Sequence, residues 1–159
     1  WSSDVCSSDL AGKKIPIFFS ANMSLGIAIL IELAKKTAKV MEDADIEIIE
    51  KHHNRKVDAP SGTALMIADA IKEVRPDVEY VRGRDGYKKR ERNEIGIHAL
   101  RMGNIFGEHE VIIGTDTQTI SLKHEVHDRG LFAEGALVAA DFLKDKAPGI
   151  YRMKDMINS

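Results

Sequence analysis

Glu50-Lys51-His52-His53-Asn54-Arg55-Lys56-Val57-Asp58-Ala59-Pro60-Ser61-Gly62-Thr63-Ala64 is the stretch on which the reading of the fold turns. Ahead of it, Asp45-Ile46-Glu47-Ile48-Ile49-Glu50 alternates and is rich in β-branched residues, which predicts a strand. Behind it, Ala64, Ile67, Ala68 and Ile71 recur at i, i+3, i+4 and i+7, the period of an amphipathic helix running to Val74 and stopped by Pro76. Between strand and helix lie two imidazoles, two cations, an Asp and a Ser-Gly-Thr helix start.

Each part has a chemical use. Ser61 is a good N-cap, and the N–H groups of Gly62, Thr63 and Ala64 at the helix start can meet a carboxylate or phosphate at the positive end of the dipole. Gly62 admits close approach of a ligand to the backbone. Pro60 favours an extended Ala59, which holds the loop off the helix. Lys56 supplies a mobile cation able to neutralise an anion or donate a proton. His52 and His53, adjacent on an extended backbone, point opposite ways and so have different jobs. The blander alternatives are solvated loop histidines and a cap that is only a cap. A zinc site from His52, His53, Asp58 and His98 matches no common ligand spacing, and no metal is expected. The residues by themselves describe an anion-binding loop equipped with acid–base groups.

The run His52-His53, three residues, then Lys56-Val57-Asp58-Ala59-Pro60-Ser61-Gly62-Thr63-Ala64 closely resembles the signature of the dihydrodipicolinate reductases of lysine biosynthesis. The resemblance implies roles by position. His52 would be the acid–base residue and Lys56 the proton donor; His53 would contact substrate, and Gly62 with Thr63 would bind a substrate carboxylate. Ser20-Ala21-Asn22-Met23 resembles the family's turn at the nicotinamide end of the cofactor, NADH or NADPH, and Gly107-Glu108-His109 matches a further motif. Met102 stands where the family more often has Gly. Arg129 and Phe132 fall at family positions near the cofactor. The implied substrate is a small cyclic dicarboxylate, and the implied assembly a homotetramer built through sheets.

The rest of the chain is compatible with this. Its 159 residues are 43% hydrophobic and 30% charged, an ordinary globular composition. A formal charge of −2 offers no basic field for nucleic acid or a membrane surface. One cysteine, Cys6, excludes an internal disulfide framework, and no apolar run reaches membrane-span length. No signal peptide is visible, so the expected compartment is the cytoplasm.

Residues 1–10, Ser-rich and without period, read as a foreign or disordered leader. Residues 11–24 read as the last strand and turn of a nucleotide-binding domain, with Lys13–Phe19 a buried strand. No Gly-rich dinucleotide loop is present, so the reading is of a reductase lacking its front end and inactive alone. Residues 25–128 read as the catalytic and oligomerisation domain, beginning with a helix from Leu25 to about Met41 that is apolar all round in its first half. Asp77–Asn93 reads as a polar loop. Three strands follow, marked by Ile95, Ile97 and Ala99, by Val111 and Ile113, and by Ile120, Leu122 and Val126. Turns at Gly103-Asn104 and Gly114-Thr115-Asp116 suggest antiparallel neighbours. Histidines 98, 109, 124 and 127 read as structural or exposed. Residues 129–159 read as a helix, Leu131 to Lys144, and a tail returning to the nucleotide-binding domain.

The expected fold is α+β, a mixed sheet of about four strands with helices on one face, plus remnants of a Rossmann nucleotide-binding domain. The expected activity is NAD(P)H-dependent reduction of 4-hydroxy-tetrahydrodipicolinate. The alternative is a non-catalytic dicarboxylate-binding or assembly domain.

Overall fold

A computed structural model describes residues 8–159. Residues 1–7, most of the expected leader, lie outside the described residues; residues 8–12, which include its last three, are helical. The chain divides into two units, one of residues 8–28 with Arg129–Ser159 and one of Ile29–Asp128.

The larger unit is built on a five-stranded mixed sheet in the order β3-β4-β2-β5-β6. Its strands are β2 (Asp45–His52), β3 (Glu79–Arg82), β4 (Glu94–Arg101), β5 (Glu108–Gly114) and β6 (Thr119–Glu125). Alternation along β2 sends Ile46, Ile48, Glu50 and His52 to one face, and all four are buried. Ile46 sits between Ile95 and Ile113, and Ile48 between Ile97 and Val111, so the central strands present one aliphatic surface. Helix α2 (Gly62–Lys72) buries Ala64, Ile67, Ala68 and Ile71, the four positions expected from the period. Helix α1 (Leu25–Val40) buries Leu30, Ala34 and Ala38 at i, i+4 and i+8. Each fully buried Ile here contributes about 2 kcal/mol relative to an exposed one.

Three sequence expectations change in this unit. The polar stretch Asp77–Asn93 is not all loop: Glu79–Arg82 forms edge strand β3, parallel to β4, and makes the sheet five-stranded rather than about four. A four-residue strand flanked by charges carries too little alternation to announce itself. Second, the Gly103-Asn104 turn does not join neighbours, because β2 lies between β4 and β5. The connection from β4 to β5 therefore crosses the C-terminal end of β2. Only the turn after Gly114 makes an antiparallel hairpin, β5 with β6. Third, β6 is a mostly exposed edge strand: Ile120 is 37% exposed, and Val126 lies beyond the strand, buried, its N–H bonded to the Gly107 carbonyl.

In the smaller unit, β1 (Pro16–Phe18) pairs in parallel with β7 (Gly149–Tyr151), ahead of the short helix α4 (Met153–Ile157). The expected buried strand over Lys13–Phe19 is thus shorter and only half-buried, since a two-stranded sheet covers little. Helix α3 (Gly130–Leu143) sets Phe142 edge-on to both Phe18 and Tyr151, at 6.2 and 5.8 Å between ring centres. Gly135 of α3 is buried against the Met23 carbonyl, and a Cβ there would overlap that backbone oxygen. Gly135→Ala is therefore expected to lower thermal stability by about 1–3 kcal/mol, the range for overpacking. Backbone cannot swing aside as a side chain can. A melting curve unchanged from the parent would contradict this close approach.

Candidate active site

Strand β2 ends in the site. Glu50 and His52, two residues apart, share its buried face, and His52 Nδ1 lies 2.6 Å from Glu50 Oε2. Arg101, at the end of β4, donates to both Glu50 oxygens at 2.7 and 2.8 Å, a forked pair. The Ser61 N–H donates to Glu50 Oε1 at 2.9 Å. Glu50 is fully buried, and burial alone would raise its carboxyl; donors from His52, Arg101 and Ser61 outweigh that and hold it down at about 2. It is an ionised acceptor at any ordinary pH.

The crossing loop from β4 to β5 clips the segment after β2 in place. Met102 N–H donates to His52 O, Asn54 N–H to Gly103 O, and His53 N–H to Ile105 O. Gly103 takes φ +52, a conformation that disfavours a side chain. Arg55 reaches Asn104 Oδ1 at 2.6 Å. Arg101 also donates to the Asp58 carbonyl at 2.6 Å, fixing the far end of the loop. Within it Lys56 pairs with Asp58 at 2.8 Å, and Lys56 N–H bonds back to His53 O. The Lys56 ammonium draws the Asp58 carboxyl below its usual range. The Ala59–Pro60 peptide is cis.

Ser61, with φ −66 and ψ 152, caps α2 as expected: its Oγ accepts the Ala64 N–H at 3.2 Å. That bond removes Ala64 from the donors expected for an anion. The cap itself consumes it. A Cβ at Gly62 would meet nothing within 4 Å, so the space beside this residue is open.

Sequence reading missed three members of the cluster, Glu50, Arg101 and His109. His109 of β5, read as structural or exposed, is buried opposite Glu50, with Nε2 3.1 Å from Ser61 Oγ. Its ring lies edge-on to His52, 5.3 Å between centres. Burial, with the nearby His52 adding to it, lowers its pKa to about 4, so it is neutral near pH 7. A signal existed for Glu50, which alternation puts on the face of Ile46 and Ile48 beside His52. None existed for Arg101, which closes on Glu50 from another strand.

His52, Lys56, Ser61, Gly62 and Thr63 all belong to the larger unit, whereas Ser20, Ala21, Asn22 and Met23 belong to the smaller. There, Ser20 Oγ donates to Asn22 O at 2.6 Å and Asn22 Oδ1 accepts from Ser24 N–H at 2.9 Å, so these side-chain groups shape the turn itself. His98 lies on the opposite sheet face from His52, with Nε2 2.7 Å from Glu47. Among the described residues no three His, Cys, Asp or Glu side chains form a group that could hold a metal ion, and no helix is long and apolar enough to cross a membrane.

Comparison with known proteins identifies the family. Residues 26–157 match the family model for the C-terminus of dihydrodipicolinate reductase. A 4-hydroxy-tetrahydrodipicolinate reductase of Caldanaerobacter subterraneus subsp. tengcongensis is 58% identical over 151 residues, covering 92% of this chain and 59% of that protein. A protein of the same name from Clostridium tetani is 54% identical over 149 residues, covering 92% and 58%. The chain thus spans under two thirds of these relatives. The fold matches that of a dipicolinate-bound dihydrodipicolinate reductase from Paenisporosarcina sp. TG-14 with TM-score 0.77, over 96% of this chain and 59% of that one, at 23% identity. The chain belongs to the dihydrodipicolinate reductase family, whose C-terminal part it matches along most of its length.

Proposed function

We propose that this chain is the substrate-binding and proton-handling part of a 4-hydroxy-tetrahydrodipicolinate reductase. The intact enzyme would reduce its cyclic dicarboxylate with NADH or NADPH, releasing water and tetrahydrodipicolinate in the lysine and diaminopimelate route of the cytoplasm. The observation that carries the reading is that one buried carboxylate, Glu50, holds both the His52 imidazole and Ser61, the cap of the helix whose start would receive a substrate carboxylate. Close relatives share the reductase name.

In this reading Gly62 and Thr63 take one carboxylate at the helix start. His53 contacts the same substrate. Lys56, whose salt bridge to half-exposed Asp58 is worth at most about 1 kcal/mol, turns to the ring and donates a proton as charge develops there. His52 presents the second acid–base group. The nicotinamide cofactor supplies hydride when bound. The turn at Ser20, Ala21, Asn22 and Met23 suits its carboxamide end, because groups spent on the turn's own shape leave mainly backbone polar atoms to offer. The turn alone offers too little contact to hold a whole dinucleotide, whose binding energy comes mostly from its pyrophosphate and adenosine ends. Residues 11–24 and 129–159 are read as belonging with a nucleotide-binding domain.

A homotetramer through the sheet is part of the proposal. Opposite the buried face, half-buried Ile49 and Ile112 and exposed Leu100 lie among Glu47, Lys51, His98 and Lys123. Such a face suits a second sheet better than open water. Sedimentation that finds only monomer at micromolar concentration would remove this element.

Calorimetry with pyridine-2,6-dicarboxylate tests the site. The folded chain is expected to bind it weakly and measurably. Gly62→Ala, which has space in the protein alone, is expected to bind about tenfold less while keeping or gaining stability. Absence of binding by the folded parent chain would overturn the carboxylate site.

A further inference from the structure

We infer that Glu50 is a positioning residue that locks His52 in its Nδ1–H form, leaving Nε2 as the atom that gains and loses a proton. The inference rests on the acid–base reading of His52 given above and adds the group that makes it work. Three fixed donors converge on Glu50, both terminal nitrogens of Arg101 and Ser61 N–H, and His52 Nδ1 lies 2.6 Å from its Oε2. A fully buried carboxylate forked to a guanidinium and bonded to a backbone N–H is ionised and has no proton of its own to offer. The proton between it and His52 is therefore on Nδ1.

Nε2 then faces Gly107, where a Cβ would come within 3.2 Å of it. The missing side chain leaves room at the working nitrogen, and the edge of His109 steadies the ring. Glu50 thus does two things with two oxygens. Oε2 sets which imidazole nitrogen works, and Oε1 ties that imidazole to the start of α2, so acid–base group and carboxylate cradle keep a common register. This is the role carboxylates play behind histidines elsewhere, acting through the ring and not on substrate.

Glutamine at this position keeps the size but has one acceptor oxygen and one NH2 group. It cannot accept from all four of these nitrogens in either orientation, and whichever neighbour meets the NH2 must become an acceptor. His52 is the only one of the four able to do so, by moving its proton to Nε2.

The test is nitrogen-15 spectroscopy of the imidazoles in the whole 159-residue chain, recorded at alkaline pH on the neutral rings. In the parent chain His52 Nδ1 is expected to show the protonated type of resonance and Nε2 the lone-pair type. In Glu50→Gln the two are expected to exchange identity or to average, with amide resonances outside the site unmoved. Arg101→Lys, which leaves the carboxylate, is expected to keep the parental form. A lone-pair resonance at Nδ1 in the parent chain would overturn the inference even if Glu50→Gln fails to fold. An unchanged Nδ1–H form in folded Glu50→Gln would overturn it equally. Pyridine-2,6-dicarboxylate binding by the same parent sample decides the substrate reading independently of the tautomer.

Discussion

Acidification from pH 7 is expected to destabilise the Ile29–Asp128 unit in two stages, the first led by His109 with half-buried His124 adding to it, and the second led by Glu50 with Asp58, Glu94 and Glu108 adding to it. His109 is 3% exposed, and its pKa falls from 6.5 to about 4 chiefly through burial. The unfolded chain therefore takes up this proton before the folded one does. Stability is complete above pH 6.5 and falls as the pH drops toward 4, by about 3 kcal/mol for a shift of this size. Glu50 acts lower down. Its folded pKa, about 2 against 4.5, means its contribution is complete above 4.5 and is lost as the pH falls toward 2, again by about 3 kcal/mol. Together the two losses rival the whole stability of an ordinary domain, about 5–15 kcal/mol. Urea unfolding at stepped pH measures both. His109→Gln can still bond Ser61 Oγ but cannot be protonated, so it should shrink the upper stage to the part His124 carries and leave the lower. A parent midpoint constant from pH 7 to 4 would show that His109 is not buried as described.

Lys56→Ala is expected to lower turnover about a hundredfold or more in a full-length reductase carrying this sequence, with little effect on cofactor binding. The loop should survive the change. Its shape rests on backbone bonds from Lys56 N–H to His53 O and from Asn54 N–H to Gly103 O, and on Arg101 to the Asp58 carbonyl. The Lys56 side chain contributes one ion pair to Asp58, whose side chain is 54% exposed. Loss of turnover with an intact fold would therefore report the missing ammonium itself. Steady-state kinetics with saturating cofactor make the measurement. Turnover equal to the parent would remove Lys56 from the proton chemistry.

The site was legible to unequal depth. His52, Lys56 and the Ser61 cap stand within ten residues of one another, in a local pattern that needs only a strand, a loop and a helix start to be understood. The helix predicted from Ala64 to Val74 is found at Gly62–Lys72, and the strand predicted over Asp45–Glu50 continues to His52. β3 escaped notice because an edge strand of four residues is held by backbone pairing to β4, which leaves no period in its side chains. His109 escaped because a histidine in an alternating strand looks alike whether it faces solvent or a buried serine.

What the amino-acid order determined by itself is everything that depends on neighbours a few residues apart: the period of β2, the face of α2, the cap at Ser61 and the crowding of acid–base groups between them. The tertiary structure decided what depends on strand order. With β2 placed between β4 and β5, Arg101 and His109 arrive on either side of Glu50, and the crossing loop from β4 folds over the end of β2 to hold His52 and His53. Placing a strand between two others that follow it in the chain costs loop entropy, which is recovered only through contacts between residues about fifty apart. Local spacing cannot register those contacts. They turn a solvated pair of histidines into an oriented imidazole on a buried carboxylate.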